Sequence, residues 1–195
     1  CLVEFPEKRI AIVSVDPSKR KTGGALLGDR MRMNAIHDSR VFMRSLATRR
    51  SHLATSAALD STVRLLKSSG FDLIFVETAG IGQSDSEISD FVDLSVYVMT
   101  PEFGAATQLE KIDMIDFADC IVINKFDKPG AEDALLAVRK QYQRSHLEFQ
   151  SEAQTIPVFG VVANRFNDCG TNWFYHKLIE TLIRKKSLNW ARSHQ

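Results

Sequence analysis

The chain has 195 residues, 44% of them hydrophobic, which is enough to bury a full core as one α/β domain. Its formal net charge of +1 supplies no overall electrostatic attraction to nucleic acid or to an acidic membrane surface, so neither is expected as a partner. Cys1, Cys120 and Cys169 are odd in number and lack metal-ligand spacing, no apolar run approaches the ~20 residues of a membrane-spanning helix, and the N-terminus has no signal-peptide layout; a soluble protein of the reducing cytoplasm is expected.

In chain order, residues 1–5 read as the last turn of a helix ended by Pro6. Residues 9–15, RIAIVSV, read as a strand, so the chain opens on the second half of a βαβ unit. Asp16 and Pro17 end that strand, and residues 18–24 make a polar loop with two adjacent glycines. Residues 28–33 predict a short helix or ordered loop; Arg30 and Arg32, two apart, would diverge on a helix, which favours a plain surface charge cluster. A short strand is expected at 41–46 and a basic loop at 47–50. A helix follows at 51–69, with Leu53, Ala57, Val63 and Leu66 on its apolar stripe and Gly70 at its C-terminal cap.

Residues 71–83, FDLIFVETAGIGQ, are the stretch around which the chain is organised. Phe71, Leu73, Ile74, Phe75 and Val76 predict a strand buried on both faces of a parallel sheet. Glu77 and Thr78 then place a carboxylate and a hydroxyl at its carboxyl end, the edge at which open α/β sheets bind ligands. An acid there suits Mg²⁺, and the turn containing Gly80 and Gly82 offers backbone N–H groups to a phosphate; an exposed strand-to-loop turn explains the stretch equally well. Beyond it, the pattern predicts a short acidic helix at 84–90, a strand at 94–99, a loop with Gly104 at 100–107 and a helix at 108–117. Strands are expected at 120–123 and 156–162, and helices at 131–145 and 171–186, the last with Phe174, Leu178, Leu182 and Ile183 on its apolar face.

The strand at 120–123 runs directly into Asn124-Lys125-Phe126-Asp127. An Asp carboxylate so placed can accept from both guanine N1–H and the exocyclic amine, a donor pair that adenine lacks. The Asn amide can approach the other base edge while the Lys stem packs over the ring. A backbone N–H at Ala163 or Asn164, ending the next strand, is a weaker candidate for guanine O6.

With VDPSKRKTGGALLGDRMRM, VETAGIGQSD, VMTPEFGAATQLEKIDM and INKFDKPGA, the chain resembles the metallochaperone-type GTPases that serve adenosylcobalamin-dependent acyl-CoA mutases. It resembles above all the fused form, in which the GTPase segment lies between a B12-binding domain and a substrate barrel. The likeness implies an α/β fold with a mostly parallel sheet flanked by helices, P-loop GTPase-like and of SIMIBI type. Its first strand and P-loop are absent from this chain, so residues 1–195 would be a GTPase domain fragment.

The resemblance also implies roles. Asp16, Asp29, Glu77 and Thr78, with the carbonyl of Val15, would surround Mg²⁺. Arg32 would contact the nucleotide, and Asn124, Lys125, Phe126 and Asp127 would hold the base of GTP or GDP. The loop 101–111 would be an additional switch with Gln108 and Lys111 as its moving residues; no catalytic base is identified. Adenosylcobalamin would lie on a neighbouring domain or partner, the partners would be the B12-binding and substrate domains, and a homodimer is implied. The function implied is Mg²⁺-dependent GTP hydrolysis that gates B12 cofactor loading and release; the alternative is a mutase-docking module that has lost hydrolysis.

One departure is large. G-x-x-x-x-G-K-[ST] occurs nowhere, and Lys21-Thr22 lacks the preceding glycine and follows the wrong strand. Without that loop's backbone donors and lysine, a fragment of this kind is expected to bind phosphate poorly.

Overall fold

Strand β1 (Ile10–Pro17) pairs in parallel with β2 (Val41–Thr48) on one side and β3 (Leu73–Thr78) on the other, giving the order β2-β1-β3. The register sets Ile10 opposite Val41 and Leu73, and Val15 opposite Leu46 and Thr78. Flanked on both edges, β1 buries Ala11, Val13 and Val15. These features belong to a computed structural model that describes residues 1–17, 34–48, 52–78, 89, 91–104, 109, 114–147 and 155–190.

Two compact units make up the chain, residues 1–84 with 190–195, and residues 85–189. In the first, α1 (His52–Ser68) runs between β2 and β3 and buries Leu59 and Leu66, seven residues apart on one helical stripe. Gly70, at φ 77°, lets the chain turn out of α1: Gly70 N–H donates to the Lys67 carbonyl and Phe71 N–H to that of Leu66, the paired bonds of a Schellman end. The amino ends of the strands are laced by charge. Asp72 accepts from Arg9 N–H and Lys8 Nζ, both at 2.9 Å. Arg40 forks onto Asp38 and donates to the carbonyls of Leu2 and Pro6.

The second unit is built on β5 (Cys120–Ile123), all four residues of which are buried between β4 (Val96–Met99) and β6 (Val158–Gly160), again in parallel. Because side chains alternate along a strand, Ile121 and Ile123 join Ile115, Val138 and Tyr142 in one cluster, while Cys120 and Val122 join Phe159 and Val161 in another. Ile115 belongs to α2 (Met114–Phe117), and Val138 and Tyr142 to α3 (Ala131–Ser145). Phe174 of α4 (Cys169–Lys186) packs on the second cluster. Helices thus cover both faces of β5. Burial pushes the Cys120 thiol up to about 11, with Asp119 adding to the shift, so it stays a neutral packing group.

Several expectations are corrected. β3 is not buried on both faces: Phe75 is 41% exposed and Glu77 is exposed, so among the described residues one face of the strand is only partly covered. Residues 1–5 form turns, with a single helical bond from Phe5 N–H to the Cys1 carbonyl, instead of a helix end. Strands β1 and β2 run on through Pro17 and Thr48, so Asp16 and Ala47 lie in the sheet ladder and not in loops. β6 is confined to Val158–Gly160, since Pro157 has no N–H to give and the Val162 N–H turns to Asp168. Helix α4 begins two residues early because Asp168 caps it. The helix expected at 84–90 falls, apart from Ser89, outside the described residues, as do all of 108–113 except Leu109.

Candidate functional site

The end of β5 is held from both sides. Asn124 N–H donates to the Met99 carbonyl of β4 at 2.8 Å, and Val161 N–H, just past β6, donates to the Ile123 carbonyl at 2.9 Å. Asn124 Oδ1 then accepts from Lys125 N–H at 2.8 Å and from Ala163 N–H at 3.2 Å. Both partners are donors, which fixes the amide orientation and leaves Nδ2 as a donor for a ligand.

Lys125 sits at φ 58°, in the left-handed region that costs a non-glycine residue about 1 kcal/mol. Its neighbours hold it there. The Lys128 N–H donates to the Lys125 carbonyl at 3.0 Å, and the Phe126 N–H donates to the Val161 carbonyl at 3.0 Å. The Phe126 ring lies flat enough on Gly160 that a Cβ there would come within 2.5 Å of it. Phe126 is therefore the anchor of the loop, while Lys125 and Asp127 on either side of it are exposed. An exposed carboxylate, a lysine stem and an amide donor on a loop tied at three backbone points are the groups that guanine recognition uses.

The turn at Pro101–Phe103 lies close to this loop. The Glu102 carboxyl is held below its ordinary value by the Thr100 hydroxyl first, with Lys125 and Lys128 adding charge attraction. Gly104 packs against Ala134 of α3, where a Cβ would overlap that side chain. Gln108 and Lys111, the expected moving residues of the switch, lie outside the described residues.

The expected metal set belongs to the first unit. Val15, Asp16, Glu77 and Thr78 all occur at the carboxyl ends of the neighbouring strands β1 and β3, with Val15 opposite Thr78 and Ser14 opposite Glu77. Strand alternation puts Glu77 and Thr78 on opposite faces, so β3 does not present both to one point. Glu77 is exposed and Thr78 half-buried. Among the described residues no three His, Cys, Asp or Glu side chains gather. A Mg²⁺ that takes one or two carboxylates and fills its shell with water and phosphate needs no such cluster, and exposed Glu77 at the carboxyl edge is compatible with one. Asp29 and Arg32 fall outside the described residues.

Sequence reasoning missed Asp168, Gly160 and Gly170, which pack behind the 124–127 loop and the turn after β6. The Asp168 side chain is 9% exposed and caps α4 by accepting from Thr171 N–H at 2.8 Å. A Cβ on Gly170 would overlap the Gly160 carbonyl oxygen. The available signal was an Asp just before a helical pattern, which marks a cap but not the bond to Val162.

Parallel strands flanked by helices, with polar residues at their carboxyl ends, give the α/β architecture that P-loop GTPases share. The crystal structure of HypB from Helicobacter pylori in complex with nickel superposes with a TM-score of 0.58, covering 98% of this chain and 80% of that one. Its 15% identity carries the fold alone. The chain belongs to the methylmalonyl-CoA mutase-associated GTPase MeaB family, whose sequence model matches residues 3–180. It is 56% identical over 192 residues to the fused isobutyryl-CoA mutase of Geobacillus kaustophilus, covering 98% of this chain and 18% of that protein. With the fused isobutyryl-CoA mutase of Cupriavidus metallidurans it shares 57% identity over 173 residues, 89% of this chain and 16% of the relative. A putative GTPase of Pyrococcus horikoshii is 42% identical over 63% of this chain and 39% of its own length. The chain thus spans less than a fifth of the fused mutases it matches. No helix among the described residues is long and apolar enough to cross a membrane.

Proposed function

We propose that the chain is the guanine-nucleotide module of an adenosylcobalamin-dependent acyl-CoA mutase, of the fused isobutyryl-CoA mutase kind. Its role is to hydrolyse GTP and so gate loading and release of the B12 cofactor. The observation that carries this reading is the anchored Asn124–Asp127 loop at the end of β5, in a chain of the mutase-associated GTPase family.

Asp127 accepts from guanine N1–H and the exocyclic amine, Asn124 Nδ2 donates to the base, and the Lys125 stem covers the ring. The Ala163 N–H is engaged by Asn124, which leaves the N–H of exposed Asn164 to meet O6. In hydrolysis, water attacks the γ-phosphorus, the bond to the β–γ bridging oxygen breaks, and GDP leaves with the electron pair while the water proton ends on the released phosphate. Mg²⁺ neutralises charge on the β- and γ-oxygens when bound. Val15, Asp16, Asp29, Glu77 and Thr78 are the residues that would hold it, directly or through water, and Arg32 that which would touch the nucleotide.

The phosphate-binding loop is absent from these 195 residues, and turnover is assigned to a longer polypeptide that supplies it. The same absence supports a second reading, a docking module without hydrolysis. Proposed partners are the B12-binding and substrate domains in the same chain, with adenosylcobalamin on the former, in a cytoplasmic homodimer.

The test is a nucleotide titration of this chain and of a polypeptide extended to include a G-x-x-x-x-G-K-[ST] loop. The extended protein should prefer GDP to ADP by about a hundredfold, the worth of two hydrogen bonds to the base, and turn over GTP only with Mg²⁺. Binding without turnover would favour the docking module, and equal affinity for GDP and ADP would exclude the guanine-nucleotide reading.

A further inference from the structure

The Asp168 carboxylate belongs to no base-reading motif, yet it is tied to the base loop. A single oxygen, Oδ2, accepts three hydrogen bonds: from Val162 N–H at 3.1 Å, Thr171 N–H at 2.8 Å and Thr171 Oγ1 at 2.9 Å. It thereby fastens the exit of β6 to the first turn of α4. These donors, the Val162 N–H foremost, hold the carboxyl below its ordinary range, so it is ionised at neutral pH.

The residue after Val162 donates to Asn124 Oδ1, which also accepts from Lys125 N–H. Asp168 is thus one peptide unit and one hydrogen bond from the base loop. A second connection runs through close contact, since Gly170 in the first turn of α4 lies on the Gly160 carbonyl and Gly160 lies under the Phe126 ring. The far end of the 163–167 turn is fixed too: Asn167, at φ 54°, accepts from Asn172 of α4 at 2.8 Å. Capping alone would require only the Thr171 bonds. The added bond to Val162 is what couples the helix to the turn that carries Ala163 and Asn164.

We propose that Asp168 is a positioning residue for guanine recognition, which sets the 162–167 turn so that its backbone N–H faces guanine O6. This rests on the guanine-binding reading above and extends it from the loop that touches the base to the helix that holds the loop.

The test uses the extended polypeptide with Asp168→Ser and Asp168→Asn, and three diphosphates: GDP, IDP, and 2-aminopurine riboside diphosphate, which lacks the six-position oxygen. Serine keeps a good helix cap but is too short to hold Val162 as well. It should weaken GDP and IDP together by about tenfold, one hydrogen bond's worth, and leave the 2-aminopurine ligand within about twofold. Asparagine retains an oxygen with two lone pairs for the Val162 and Thr171 backbone donors and should restore GDP affinity to within about threefold of the parent. On the chain itself, amide exchange at Val162 and Ala163 should quicken in the serine variant only.

Equal weakening of all three ligands would mark general damage and overturn the proposal, as would unchanged GDP affinity in Asp168→Ser or an asparagine variant as weak as serine. Asp127→Asn, measured alongside, separates the two levels. If it moves preference to xanthine nucleotides while Asp168→Ser changes nothing, guanine reading stands and the positioning role falls. If it does not move preference, the guanine reading itself fails.

Discussion

Lys125 shows what single residues contribute to this site. Its left-handed backbone is unfavourable in isolation and is retained because Asn124, Lys128 and Phe126 fix the peptides around it. That strain turns the stem of Lys125 and the carboxylate of Asp127 outward while Phe126 turns in. Glu77, exposed at the end of β3, makes a different prediction: Glu77→Gln in the extended polypeptide should lower Mg²⁺-dependent GTP turnover by tenfold or more, about 1.4 kcal/mol of lost charge interaction. Folding should be unaffected. Turnover unchanged across a Mg²⁺ titration would remove Glu77 from the metal site. Acid stability provides a check on the first unit. The Arg40 fork lowers the Asp38 carboxyl from its ordinary 3.8 to about 2. A depressed carboxyl contributes its full stabilisation above its unfolded value and loses it as pH falls through the folded one. The Tm difference between parent and Asp38→Asn should therefore be constant near neutrality and close between pH 3.8 and about 2; a gap that persists below pH 2 would mean that the pair is not the cause. Among single residues, the placement of Asn124, Phe126 and Asp127 on one loop at the end of β5 was legible because the motif is contiguous, whereas the inward turn of Phe126 onto Gly160 was not. Asp168 was not, because its partner Val162 precedes it in a turn whose path no local pattern encodes.

Among the elements, β5 and α3 have the bounds their sequences predict: β5 is apolar at all four positions, and Lys128-Pro129-Gly130 separates it from a regular helical stripe. β6 and α4 differ at their ends, for reasons that depend on tertiary partners, namely the pairing of Val162 with Asp168 and the cap it forms. The half-exposed face of β3 was likewise hidden, since an apolar run does not say what packs on each face of the strand. The contact between β6 and α4 can be tested by ordering two variants. A Cβ at Gly160 meets the Phe126 ring, which can move, whereas one at Gly170 meets backbone. Gly160→Ala should cost about 1–3 kcal/mol in urea unfolding, with Gly170→Ala costing more. The reverse order would contradict the close approach of α4 to β6. The segment 101–111 is proposed as a switch, docked at its start by Gly104 on Ala134. Lys111→Ala should then change the ratio of GTPase rates with and without mutase domains more than it changes GTP affinity. Equal ratios in variant and parent would rule out that switch role.

Two sets of polar residues at strand ends fall in separate units, Val15, Asp16, Glu77 and Thr78 in one and residues 124–127 in the other. Each unit has a parallel sheet with its polar residues at the carboxyl edge, which is why the order of strands and motifs could be read from the sequence. The division into units could not, because no linker composition marks it. Family membership spans residues 3–180, while relatives several times longer carry the mutase name, so the nucleotide reading depends on the loop itself. The most direct measurement is base preference in Asp127→Asn. Replacing one carboxylate oxygen with an amide sets donor against donor at the guanine amine, at about 1–3 kcal/mol, so GTP affinity should fall by roughly tenfold to a few hundredfold. Xanthine carries a carbonyl where guanine carries that amine, and the variant should bind XTP in preference to GTP. An Asp127→Asn protein that still chose GTP over XTP would show that residues 124–127 are a turn and not a guanine reader.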